Sequence, residues 1–280
     1  MILVVGASGN VGSRVADRLS SSGYPVRAVS RDPGKLPTGV EAVQADLAQP
    51  ETLAPHLSDV DAVFLVWPFP DPAMTAELAP RLLSVLAAAG NPRVVYVSAA
   101  SAETDPESFW AVAEQAIEKS GLPWTFLRPT GIATNALAWA DQIQAGDVVY
   151  WPHAGAQRSM VHEDDIAAVA VAALTSSAHE GQAYTLTGPE IVTFADQVRL
   201  IGEALGRPVR LEEVPAEVFR PGLAEAFGGN TDFADQALNG WAAMALTPEP
   251  VTNHIQQLLG RPARPFAEWA KDHAQDFSTT

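Results

Sequence analysis

The sequence has 280 residues, 47% hydrophobic and 18% charged, which allows one or two domains with a sizeable core and excludes a disordered or fibrous chain. Acidic side chains outnumber basic ones by 33 to 17, for a formal net charge of -16, so nucleic acid and anionic lipid are not expected partners. There is no cysteine, which excludes disulfides and thiolate chemistry. No apolar stretch is long enough for a bilayer, and the chain enters an apolar strand with no basic leader, so a cytoplasmic protein is expected.

Ile2–Val5 is a fully apolar run too short for a helix, and Val11, Val15 and Leu19 then mark a helical stripe. Further strands are predicted at Val26–Val29, Val40–Val43, Ala62–Val66, Val94–Val97 and Thr125–Leu127. Helices are predicted between them at Pro50–Leu57, Met74–Ala89 and Phe109–Lys119. This alternation predicts an α/β fold, a doubly wound parallel (Rossmann) sheet with helices on both faces. Beyond Arg128 the rhythm loosens: Asp164–Leu174 and Phe194–Leu205 read as helices, Ala183–Leu186 and Val209–Val214 as strands. The expected organisation is a dinucleotide-binding domain over residues 1–130, to which later segments return. Residues 131–280 are expected to form mainly a smaller α+β substrate-side lobe.

Gly6-Ala7-Ser8-Gly9-Asn10-Val11-Gly12 joins the first strand to the first helix. In that context the first glycine permits a tight turn, the second admits a pyrophosphate, and the third lets helix and strand pack closely. Helix-start N–H groups then face the anion. The second strand ends in Ser30-Arg31-Asp32, which lacks the strand-end carboxylate of a typical NAD site. Arg31, with Lys35 nearby, suits a 2′-phosphate, so NADP(H) is expected as cofactor, although Asp32 could reach a ribose hydroxyl. Asp46 and Leu47, at the third strand's end, fit a cap over the adenine; a turn or helix-capping carboxylate is the alternative for Asp46.

Several blocks in order resemble the NmrA-like branch of the atypical short-chain dehydrogenase superfamily. They are Gly6–Gly12, Ser30–Pro33, Ser120–Pro129, Val161–Ala167, Tyr184–Pro189, Ala204–Pro208 and Phe266–Ala270. The resemblance implies NADP(H) laid across the strand ends of a Rossmann domain. It implies that Trp67 and Pro68, Ser98 and Ala99, and Pro129 to Gly131 line the nicotinamide end. Superfamily reductases often carry a Tyr-x-x-x-Lys pair, but Pro106 and Trp110 stand at those positions, and neither does acid–base work. Glu114 nearby reads as a helix-surface or fold-support residue.

Phe69, Asn135, Trp139, Trp151 and His153 are the substrate-side candidates, with His153 and Ser98 as the candidate proton donors. His162 beside Glu163, Asp164 and Asp165 reads as a helix start, since no second histidine stands at ligand spacing, and no metal is expected. The leading expectation is an NADPH-dependent oxidoreductase of a small carbonyl, enone or quinone-like compound. A non-enzymatic NADP(H) sensor with a protein partner, and a non-redox pathway enzyme, are the alternatives that fold alone leaves open.

Overall fold

Ile2–Val5 is buried at all four positions, as a strand covered on both faces must be. A computed structural model describes residues 1–36 and 39–278 and makes this segment β1 of a seven-stranded sheet. The others are β2 (Val26–Ser30), β3 (Glu41–Gln44), β4 (Ala62–Val66), β5 (Arg93–Val97), β6 (Trp124–Pro129) and β7 (Gln182–Leu186). Their spatial order is β7-β6-β5-β4-β1-β2-β3, and every neighbouring pair is parallel. Consecutive strands run to one side as far as β3 and then restart beside β1 at β4. The carboxyl ends of β1 and β4 therefore form the switch point where such sheets bind ligands.

The helices are α1 (Asn10–Ser21), α2 (Pro72–Ala88), α3 (Phe109–Ser120) and α4 (Glu163–Thr175). On α1 the stripe Val11, Val15 and Leu19 is buried. Leu82 and Leu86 of α2 and Ile117 of α3 join Leu3, Val5, Leu65, Tyr96 and Phe126 in the core on one face of the sheet. The predicted α-helix at Pro50–Leu57 is instead a 3-10 segment, Pro50–His56, because Pro55 inside it removes a helical donor.

The chain divides into two compact units. The first comprises Met1–Pro129, Glu163–Leu186 and His254–Arg261 and holds the whole sheet. The second comprises Thr130–His162, Thr187–Asn253 and the residues from Pro262 onward. Its core gathers Trp139, Ile143, Val149, Phe194, Val198, Ile201, Phe266 and Trp269. A short strand, Val148–Trp151, which the sequence pattern did not announce, runs parallel to Arg210–Glu213. Helix α5 (Phe194–Ala204) opens on a reciprocal capping box between Thr193 and Asp196. Helices α6 (Ala216–Ala226) and α7 (Thr231–Leu246) form a hairpin with its own small cluster, Leu223, Ala224, Ala234 and Leu238. No helix among the described residues is long and apolar enough to cross a membrane.

Candidate functional site: a dinucleotide cradle

Gly6 takes a φ of +88°, a left-handed conformation that suits glycine, and its carbonyl accepts from Gly9 N at 3.0 Å to close the turn. The first helical bond runs from Ser13 N to Gly9 O at 3.0 Å. The N–H groups of Asn10, Val11 and Gly12 therefore have no acceptor within the helix. Gly9, at the cap position, offers no side chain, and the first turn contains no acidic residue. A Cβ on Gly12 would stand 2.1 Å from Gly6 O, so only glycine lets α1 start this close to the turn. Ser8, Gly9 and Asn10 are exposed, whereas Ala7 is buried and can present only its backbone. These donors fit the diphosphate of a dinucleotide. Arg14, one turn in, is held by Glu163 at 2.8 Å and Asp164 at 3.0 Å, which ties α1 to α4.

At the end of β2, Ser30 Oγ accepts from Asp32 N at 3.0 Å, and Asp32 Oδ1 accepts from Gly34 N at 3.3 Å, capping the next turn. Arg31 between them is exposed and has no carboxylate partner among the described residues. Every other described arginine is ion-paired with a carboxylate. The side chain of Lys35 lies outside the described residues. At the end of β3, Asp46 Oδ1 accepts from Ala48 N at 3.0 Å, the turn-carboxylate arrangement, while Leu47 is buried.

Trp67 and Pro68 follow β4, where the family resemblance implies that they line the nicotinamide end, and the Trp67 ring is turned into the fold. It is 6% exposed, packs edge-on to Phe69 at 5.3 Å, and donates its indole N–H to Thr75 Oγ1 at 2.8 Å. That contact pins the loop after β4 to α2 and leaves Pro68 as the exposed member of the pair. After β5, Ser98 N donates to Leu127 O at 2.8 Å while its buried Oγ has no hydrogen-bond partner among the described residues. Tyr96, two residues earlier, also buries an unpartnered hydroxyl, and burial pushes its phenol upward. Ala99 is half-buried, and Pro129 is buried at the end of β6.

Pro106 lies in the turn before α3, and Trp110 sits in the helix's first turn, its ring 4.0 Å from that of Phe109. Glu114 is not a surface group. It is 5% exposed and accepts from Arg128 Nε at 2.9 Å and Nη2 at 2.7 Å, the fold-support role.

In the second unit Asn135 is exposed, Trp139 is buried and Trp151 is half-buried. His153 has a φ of +53°, and its carbonyl accepts from Ala156 N at 2.8 Å. The imidazole is half-buried with no hydrogen-bond partner among the described residues. His162 is buried, with Nε2 3.4 Å from Asp272 Oδ2. The described residues contain no group of three or more carboxylates and histidines placed to hold a metal ion.

Residues 6–177 match the model of an NAD(P)H-binding family. The chain belongs to that family. This NAD(P)H-binding chain is also 40% identical to the (4-alkanoyl-5-oxo-2,5-dihydrofuran-3-yl)methyl phosphate reductase of Streptomyces griseus, over 99% of each chain. It is 35% identical to the NAD(P)H azoreductase of Xenophilus azovorans, again over 99% of each. Among solved structures, the Citrobacter sp. triphenylmethane reductase complexed with NADP(H) shares its fold with a TM-score of 0.82 at 23% identity. That match covers 98% of this chain and 100% of the other. The expectation of an NAD(P)-binding chain and the family resemblance therefore stand.

Two features, one in each unit, escaped sequence reasoning. Phe194, Phe219 and Trp241, which surround Trp151, come from three separate segments with no shared spacing. The isolation of Arg31 emerges only once every other arginine is seen to be paired.

Proposed function

We propose that the chain is an NADPH-dependent reductase of small, electron-poor carbonyl, enone or quinone-like compounds. The observation that carries the cofactor assignment is Arg31, the one described arginine left without a carboxylate in a chain of net charge -16. An exposed guanidinium at the end of β2, following a turn with three unused helix N–H groups, suits a ribose 2′-phosphate. Asp32, the group that would favour an unphosphorylated ribose, is engaged in capping its own turn.

When bound, NADPH supplies a hydride, and the protein supplies orientation and a proton. Similarity over the full length to two reductases favours reduction over sensing. The compound named for the Streptomyces relative has a ring double bond conjugated to carbonyl groups, and an azo group is likewise an electron-poor double bond. Such acceptors take a hydride on one atom and a proton on the other with little need for a strong acid. That chemistry suits an α3 that lacks the tyrosine–lysine pair. Ser98, whose Oγ is buried with no hydrogen-bond partner among the described residues, is the hydrogen-bond donor to the acceptor oxygen in this proposal. His153 is the proton donor of this proposal: its left-handed backbone is uncommon outside glycine, and such outliers cluster at functional sites. Asn135 and Trp151 belong to substrate recognition.

The test is NADPH consumption across a panel of quinones, enones and azo compounds. Turnover on at least one class is expected. Tight NADPH binding with no turnover on any compound would overturn the reductase reading in favour of a sensor.

A further inference from the structure

The second unit contains an aromatic cluster centred on Trp151. Its ring centroid lies 5.6 Å from that of Trp139, 4.6 Å from Phe219 and 5.3 Å from Trp241. Phe194 closes the group at 5.9 Å from Trp139 and 5.5 Å from Trp241. The indole N–H groups of Trp139 and Trp151 are both buried here with no acceptor among the described residues. Leaving a buried donor unsatisfied costs about 1–3 kcal/mol, and native proteins rarely do so. Trp67 shows the ordinary solution, a hydroxyl at 2.8 Å. Two orphan donors in one apolar cluster point to an acceptor that comes from outside the chain.

Two of the surrounding rings are mounted on a separate piece. Phe219 belongs to α6 and Trp241 to α7, and this hairpin has its own cluster of Leu223, Ala224, Ala234 and Leu238. Arg220 and Asp235 join the two helices by hydrogen bonds of 2.5 and 2.6 Å, so the hairpin holds together as a body. Trp241 packs against both this cluster and the main core of the unit. Met244 of α7 packs on the main core as well, and Ala245 O accepts from Gln157 Nε2 at 3.4 Å, so the seam that opening must break runs along α7 and through Phe219.

We propose that the α6–α7 hairpin is a lid, and that a flat aromatic or quinonoid compound carrying a carbonyl oxygen displaces Phe219 and Trp241 from Trp151. Its oxygen accepts from the Nε1–H groups of Trp139 and Trp151. The flat ring restores the aromatic contact that the lid relinquishes, and the oxygen relieves the two unsatisfied donors. This rests on the reading of the chain as a reductase of conjugated carbonyl compounds and states how their recognition works.

The test is binding of 1,4-naphthoquinone to the full chain in the presence of NADP+, which fills the cofactor site without offering a hydride. Trp151→Phe and Trp139→Phe keep an aromatic ring and delete the donor. Each should weaken naphthoquinone binding about 5- to 10-fold, the loss of one hydrogen bond, with NADPH affinity unchanged. Because the chain has no cysteine, Val218→Cys, exposed on α6, can carry a single environment-sensitive dye. Its signal should shift saturably with the dissociation constant of naphthoquinone. Wild-type affinity in the folded tryptophan variants, or a dye that stays silent while naphthoquinone saturates, would overturn the lid and subsite. The reductase reading would survive that result wherever NADPH still reduces naphthoquinone. If Trp139→Phe fails to fold, Trp151→Phe and the dye decide. Absence of both binding and turnover, with naphthoquinone and with every other acceptor, would overturn both readings together.

Discussion

Arg128 grips Glu114 through two parallel hydrogen bonds of 2.9 and 2.7 Å, one helical turn past Trp110. This carboxylate, on the helix that would carry the lysine of the missing tyrosine–lysine pair, is thus bonded to β6 as part of the fold. Removing one partner of a buried pair leaves the other charge uncompensated. Glu114→Gln should destabilise the protein by about 2–3 kcal/mol, less than a fully enclosed pair because Arg128 keeps some exposure. Urea unfolding of the variant checks this. Unchanged stability with lost turnover would instead make Glu114 part of the chemistry.

The three glycines of the turn should separate by phenotype. Gly12→Ala forces a Cβ to within 2.1 Å of the Gly6 carbonyl and should disrupt the packing of α1, read as a marked drop in melting temperature. A Cβ on Gly9 meets Gly6 O at 3.3 Å, tight but close to tolerable. Gly9→Val should therefore fold and lose dinucleotide binding, because its branched side chain occupies the space of the diphosphate. Retained cofactor affinity in a folded Gly9→Val protein would show that the turn has only a structural role.

The sheet was legible because its central strands are apolar on both faces and alternate with helical stripes. Ile2–Val5 and Ala62–Val66 match the predicted spans residue for residue. The turn at Gly6–Gly12 was legible for the same reason, since its glycines are close in sequence and their context is local. What resisted reading was assembled from distant segments. The ring cluster about Trp151 draws on residues from 139 to 241, and the pairing of Glu114 on α3 depends on Arg128 arriving from β6. The partner of the Trp67 N–H was not legible, because a tryptophan after a strand end says nothing about where its N–H will go. Thr75 on the following helix decides that.

His153 gives a sharper test of the proposed chemistry. His153→Ala should lower turnover at least 10-fold while leaving NADPH affinity within about 2-fold, since the cofactor is assigned to other residues. Unchanged turnover in His153→Ala would remove this residue, and solvent protonation of a reactive acceptor would replace it.

Acid stability should depend on Arg27 at the outer edge of the sheet. Its guanidinium binds Glu41 at 2.8 and 2.9 Å and Asp59 at 2.7 Å, and these hydrogen bonds hold both carboxyls below their usual range. Groups depressed in this way stabilise the fold above their ordinary pKa, and the contribution is lost as pH falls through the folded value. The urea midpoint should therefore drop as pH falls below about 4.5, and more gently in Arg27→Met than in wild type. Parallel curves for the two proteins would contradict this.

The claim that Arg31 makes the Gly6–Gly12 cradle an NADPH site is tested most directly by titrating wild type and Arg31→Ala with NADPH and with NADH. Wild type should prefer NADPH. The variant should lose about 10- to 100-fold in NADPH affinity, the worth of charge-assisted hydrogen bonds of about 1.5–3 kcal/mol, with NADH binding nearly unchanged. Equal losses for the two cofactors, or a wild-type protein that binds NADH more tightly, would contradict the account.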